Sequence, residues 1–451
     1  MSELALVVLA AGMGTRMKSA VPKVLHKIAR RSMLSHVLHA GKALGASKAV
    51  VVHGPDMASV QKEALGVMAG CGFAEQRERL GTGHAVSMAR EALAGFQGTV
   101  LILYGDVPLI QTETLKELLS KLDAKHRMAV LGFVTENPMG YGRLIGTNKA
   151  ITDIREELDA SAKERKIKLC NSGIIAIDNR LLWTIIPKLS NKNAKGEYYL
   201  TDLVKLANNA KTKVALCACD ETEVAGVNDR NQLSVLERAF QREARRTAME
   251  QGATLVDPDT VYFSADTKLG KDVLVEPNIM FGPGVVVGDS VEIFAFSHLE
   301  GCVVANGARI GPFARLRPGA EIGENAHIGN YVEIKKAKIG KGAKANHLSY
   351  IGDAVVGAGS NIGAGTITCN YDGYGKHLTD IGENVFVGSN TSLVAPVKIG
   401  AGVNIAASSV ITRNVPADAL AMSRPELQIK EGWAKRYRAV KQAAKDAKKK
   451  S

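Results

Sequence analysis

Residues 9–17 read Leu-Ala-Ala-Gly-Met-Gly-Thr-Arg-Met directly after an apolar run, and Pro22-Lys23 follows closely. A glycine-rich turn at the end of a buried strand lets backbone N–H groups approach phosphate oxygens, with a helix N-terminus behind it. Arg16 and Lys23 add fixed positive charge of the kind that stabilises a departing pyrophosphate. A glycine loop by itself says only that a turn is tight. Strand, glycines and two cations together point to a polyphosphate ligand. A second apolar run, Thr99–Leu103, ends in Tyr104-Gly105-Asp106-Val107-Pro108. A carboxylate at the C-terminal end of a parallel strand faces the ligand crevice and suits a hard divalent ion. The same aspartate would equally serve as a cap for the helix that follows.

The other chemistry-bearing residues lie beyond residue 310. Polar runs occur at Phe313–Gly319, Glu333–Lys336, Asn346–Tyr350, Asn361–Thr366 and Cys369–Gly373. A histidine titrates near neutrality and can serve as a general base. His298, His327, His347 and His377 are equal candidates on composition alone.

These residues need elements to hold them. From Val273 to Ile411 an aliphatic residue recurs every sixth position, including Val273, Ile279, Val285 and Val291, then Ile310, Leu316, Ile322, Ile328 and Ile334. A period of six is neither an amphipathic helix nor an alternating strand. It fits a parallel β-helix in which three hexads close a triangular coil and one aliphatic side chain per hexad fills the interior. The phase slips by one between Ile334 and Ile339 and again between Ile351 and Val356, and residues 369–380 read as an extruded loop. The first half alternates strand-like runs, such as residues 5–10, 49–53 and 99–103, with helical stretches. That pattern predicts βαβ units and a mostly parallel sheet. Between the halves, residues 229–250 place Leu233, Leu236, Phe240 and Ala244 on one helical face, with Asp229 as N-cap and Gly252 beyond the end.

Composition sets bounds. The chain has 451 residues, enough for two or three domains. Its net charge of +13 draws on a tail, Lys435–Lys450, that includes Lys448, Lys449 and Lys450. Such a tail attracts phosphates or acidic surfaces, yet no aromatic interleaving suggests base stacking. A solvated terminus is the reading preferred here. Six scattered cysteines show no zinc-ligand spacing and read as reduced thiols. No apolar run is long enough to span a bilayer.

The Leu9–Met17 loop with Pro22-Lys23 and the Tyr104-Gly105-Asp106 run resemble sugar-nucleotide pyrophosphorylases. Joined to a hexapeptide solenoid with those polar runs, they resemble the bacterial bifunctional enzymes that make UDP-N-acetylglucosamine, over essentially the whole chain up to the tail. The resemblance implies an α/β fold with a Rossmann-like nucleotidyltransferase domain at 1–228, a linker helix at 229–251 and a left-handed parallel β-helix at 252–451. It implies acetylation of glucosamine 1-phosphate by acetyl-CoA, then transfer of UMP from UTP to N-acetylglucosamine 1-phosphate. Mg²⁺, a homotrimer with acetyl sites between subunits, and a cytoplasmic role in peptidoglycan and lipopolysaccharide precursor supply follow from it, with no nucleic-acid partner. A pyrophosphorylase with one activity and a structural solenoid is the alternative.

Residue by residue, the resemblance assigns Leu9, Ala10, Ala11, Gly12 and Lys23 to the nucleotide, with Tyr104 and Gly105 beside them. Gln76, Gly81 and Thr82 would read the uracil, and Asp106 and Asn228 would ligate Mg²⁺. Gly142, Glu156 and Asn171 would hold the sugar, walled by Glu197, Tyr198 and Tyr199. In the solenoid His347 would be the general base, oriented by Glu333. Arg317, Lys335, Tyr350 and Asn361 would bind the sugar phosphate, with Asn370 and Tyr371 completing the pocket. Ala364, Ser389, Ala407 and Arg424 would meet acetyl-CoA.

Overall fold

Apolar runs in the first half become strands covered on both faces. In the computed structural model, which describes residues 3–147 and 150–450, the strands β1 (Leu4–Leu9), β2 (Lys48–His53), β3 (Gly72–Glu75) and β4 (Thr99–Tyr104) run parallel in the order β3-β2-β1-β4. Every residue of β1 is buried because successive side chains enter opposite layers. Leu6 and Val8 pack with Leu34 and Leu38 of the helix Met33–Ala43, whereas Ala5 and Val7 pack with Val86 and Leu93.

Five further strands, β5 (Met128–Val134), β6 (Arg143–Thr147), β7 (Ala150–Arg155), β8 (Leu169–Asp178) and β9 (Val214–Cys219), complete the sheet. The full order is β3-β2-β1-β4-β8-β5-β9-β7-β6. The expected mostly parallel sheet is therefore mixed. Strand β8 lies antiparallel between β4 and β5, and β6 and β7 form an antiparallel hairpin. Antiparallel neighbours need no crossover helix, so the chain between β5 and β8 returns without one.

The helix Arg230–Glu250 starts where Gln232 N donates to Asp229 Oδ1 at 2.9 Å and stops before Gly252, whose φ of 105° is left-handed. It belongs to the first compact unit rather than standing free, with Leu236 buried against Ile28, Met33 and Val227. Tyr262–Thr267 also rejoin this unit. The Gln241 amide, 2 % exposed, accepts from Phe263 N and donates to Phe263 O, both at 2.8 Å, as a partner strand would. A fragment ending at Gly252 removes both Phe263 partners and leaves that amide only its bond to Glu237 Oε1. It is expected to be about 2 kcal/mol less stable than one ending at Thr267, measured by denaturant midpoints.

The second unit, residues 251–261 and 268 onward, is built on a left-handed parallel β-helix, most of whose strands are two or three residues long. Leu274 pairs with Glu292, three hexads on. Each hexad buries two side chains rather than the expected one: Val273 with Val275, Ile279 with Phe281, Val291 with Ile293. At the phase slips the corner is replaced by continuous seven-residue strands, Glu333–Ile339 and Tyr350–Val356. Val355 then pairs with Asp380, which leaves residues 370–378 outside the coil. The tail forms an exposed helix, Trp433–Lys450, in which the side chains of Lys448, Lys449 and Lys450 lie outside the described residues. Among the described residues no helix is long and apolar enough to cross a membrane.

Candidate active sites

The register of the parallel strands builds the first site. Leu9 pairs with Tyr104, so the glycine loop after β1 and the Asp106 segment after β4 leave the sheet side by side. Gly105 N bonds Leu9 O at 2.9 Å, and Gln76 N bonds His53 O at 2.8 Å beyond β3. A cavity of about 310 Å³ opens there, lined by Leu9, Ala10, Ala11, Gly12, Lys23, Gln76, Gly81, Thr82, Tyr104, Asp106 and Glu197 among others. Gly14 is needed for this closeness: its φ is 62°, and a Cβ there would lie 2.6 Å from Lys23 Cβ. The Lys23 ammonium ion-pairs with Asp106 and lies 3.4 Å from Asn228 Oδ1. Two oxygen donors thus already hold a cation. Such a pair fits a hard divalent ion that takes its remaining ligands from water and phosphate. Among the described residues no cluster of three or more His, Cys, Asp or Glu offers a fuller cage.

Arg16 stands exposed on the turn Thr15–Met17 and is not among the residues that line the cavity, while its neighbour Met17 is buried. Arg79, which no local motif marks, lines the cavity and donates from Nε to Ala11 O at 2.9 Å.

The sugar-pocket residues gather beside it. Asn171 N bonds Gly142 O at 2.8 Å, and a Cβ on Gly142 would lie 3.4 Å from Glu156 Oε1. Thr201 donates to Glu156 Oε1 at 3.1 Å, while burial pushes that carboxyl above its ordinary range. Tyr199 is buried, and burial, reinforced by Asp159 and Glu156, pushes its hydroxyl up to about 12. Tyr198 zips the two walls together: its N–H reaches Leu80 O at 2.7 Å and its carbonyl accepts from Gly83 N at 2.8 Å.

In the β-helix the second set of residues falls into two columns. One runs along a corner. Leu348 N bonds Asn330 O, Gly365 N bonds His347 O, Asn390 N bonds Ala364 O and Ser408 N bonds Ser389 O, at 2.7–3.3 Å. Arg424 closes the series by donating to Ala407 O at 3.2 Å. Asn330, His347, Ala364, Ser389 and Ala407 therefore stack one per coil. The other column spans Arg317, Glu333, Lys335 and Tyr350, which the Arg315–Glu333–Tyr350 register brings onto successive coils. Tyr350 Oη lies 3.4 Å from Asn370 Nδ2, and Asn370 is fixed by Asp353 at 2.5 Å. Asn361 pairs with Lys344 at the start of the His347 strand. Tyr371 sits on the extruded loop, its ring 4.1 Å from Lys376 Nζ.

Glu333 does not touch His347. Its carboxylate accepts from Arg317 Nη1 at 2.6 Å. The imidazole is oriented instead by Asn330, whose Oδ1 lies 2.7 Å from His347 Nδ1. An amide oxygen only accepts, so Nδ1 carries the proton and the Nε2 lone pair is free to act as a base. Asn330→Ala is expected to lower acetyl transfer about tenfold to a hundredfold, and Asn330→Asp to retain it with a shifted pH–rate profile.

Comparisons with known proteins decide between the two readings of the solenoid. The MobA-like NTP transferase domain matches residues 6–168, and bacterial transferase hexapeptide repeats match 301–336 and 379–413. Bifunctional protein GlmU of Paramagnetospirillum magneticum is 54% identical over 450 residues, covering 99% of both chains. The proteins of the same name from Azorhizobium caulinodans and Agrobacterium fabrum are 53% and 50% identical over at least 97% of either chain. The chain belongs to the bifunctional GlmU family. It is an enzyme with two activities, uridylyltransferase and glucosamine-1-phosphate acetyltransferase, and the single-activity alternative is not favoured. As a family member it uses a divalent metal ion and acetyl-CoA.

Proposed function

We propose that the β-helix corner acetylates glucosamine 1-phosphate and that the cavity at the ends of β1 and β4 then couples the product to UMP. At the corner, His347 Nε2 takes a proton from the 2-amino group as nitrogen attacks the acetyl-CoA thioester, and CoA leaves as its thiol. Arg317 and Lys335 bind the sugar phosphate, Glu333 holding the guanidinium in place. Tyr350, Asn361 and Asn370 frame the ring. Backbone N–H groups near Ala364 and Ser389 face the developing oxyanion, and Ala407 and Arg424 extend the groove toward the CoA phosphates.

In the cavity the sugar phosphate oxygen attacks the α-phosphorus of UTP in line, expelling pyrophosphate. Such transfers depend on positioning and charge neutralisation, and no side-chain nucleophile is required. Lys23 and Arg79 neutralise the polyphosphate, and Gly142, Glu156 and Asn171 orient the acceptor. Asp106 and Asn228 would hold Mg²⁺, which would supply Lewis-acid charge at the phosphates. The protein works as a cytoplasmic homotrimer on small molecules and takes no nucleic-acid partner.

What supports this reading most is the single corner column carrying a base with a free Nε2 above a run of small residues. The test is product analysis with glucosamine 1-phosphate, acetyl-CoA, UTP and Mg²⁺. A UDP-sugar with the mass of the acetylated product is expected. Free CoA with no UDP-sugar, or the reverse, overturns the coupled scheme.

A further inference from the structure

Gln76 is 4 % exposed and lines the nucleotide cavity, so the way its amide faces decides what the cavity offers a base. Its Nε2 donates to Gly81 O at 3.2 Å and lies 3.2 Å from His84 Nδ1. A carboxamide nitrogen has two N–H groups, and these two acceptors use both. The imidazole accepts at Nδ1 only when its proton is on Nε2. Among the described residues Gln76 Oε1 accepts from nothing, which leaves it as the group presented to a ligand. His84 does not itself line the cavity.

We propose that His84 is a positioning residue that locks the Gln76 amide with its oxygen toward the cavity, and so makes the site select uracil over cytosine nucleotides. This rests on the reading of Gln76 as the base contact. Uracil carries an N3–H donor that matches the exposed oxygen, whereas cytosine presents an unprotonated N3, so two acceptors would face each other. A site built to hydrogen-bond one partner rejects an analogue that leaves a buried group unpaired. Without the His84 lone pair only the Gly81 carbonyl opposes rotation of the amide, and the turned amide offers N–H to cytosine N3. The backbone around His84 does not depend on its ring: Ser87 caps the His84 carbonyl at 2.7 Å whatever the side chain.

The test measures kcat/KM with UTP and with CTP, in the presence of N-acetylglucosamine 1-phosphate and Mg²⁺, on the full chain. In His84→Ala the UTP-to-CTP ratio is expected to fall about tenfold, the value of one lost hydrogen bond. His84→Asn, which restores an acceptor, is expected to recover most of it. His84→Phe keeps a ring without the acceptor and serves the same purpose should the alanine variant not fold. A ratio unchanged in His84→Ala and His84→Phe overturns the role of His84 and leaves the Gln76 reading standing. A wild-type protein with no preference between UTP and CTP overturns the Gln76 reading itself.

Discussion

Replacing His347 by alanine is expected to lower acetylation of glucosamine 1-phosphate by roughly 10²–10⁴-fold, the usual contribution of a positioned general base. CoA release from acetyl-CoA reads this directly. The imidazole is exposed and among the described residues its one side-chain hydrogen-bond partner is Asn330, so the coil beneath it does not depend on the ring. The backbone bond from Gly365 N to His347 O survives the substitution. Pyrophosphate release from UTP and N-acetylglucosamine 1-phosphate is therefore expected to be unchanged. Loss of both activities in a folded variant would overturn the assignment of His347 to one site.

Asp106→Ala is expected to give the reciprocal result, a loss of at least about a hundredfold in uridylyl transfer with CoA release intact. The carboxylate's partner in the cavity is Lys23, and the link that holds the segment is a backbone one, Val227 N to Asp106 O at 3.1 Å. The fold thus tolerates the change, while the Asp106–Asn228 pair loses its carboxylate. Asp106→Asn, which keeps the shape, is expected to be nearly as inactive. Activity retained in Asp106→Asn would show that charge at this position is not required.

Much of this was legible in the sequence because a β-helix repeats its demands. Each coil needs interior side chains at a fixed stride, and the stride shows on the page. What did not show was the second interior position of each hexad. It is often filled by Ala308, Ala320, Thr379, Thr391 or Ser409, which are buried yet carry no aliphatic signal. The two phase slips were visible, but their consequence was not. A shortened coil brings Asn330 beside His347, and that register cannot be read without knowing how the corner is absorbed. The same holds for the cations at the nucleotide site. Arg16 lies in the motif yet stands exposed outside the cavity lining, whereas Arg79 reaches Ala11 from a distant stretch of chain. Motifs report local turns; which side chain fills a cavity depends on contacts made far along the chain.

The return of Tyr262–Thr267 to the first unit bears on how the protein is made. Gln241 receives Phe263 only after that stretch has been synthesised, so a nascent polypeptide emerging from the ribosome cannot finish its nucleotide-binding half at the end of the helix. Translation has by then already passed residues 251–261, which belong to the other unit. Maturation of the two halves is interleaved in time, and a gene fusion or protease cut placed at the helix end severs one of them in mid-assembly.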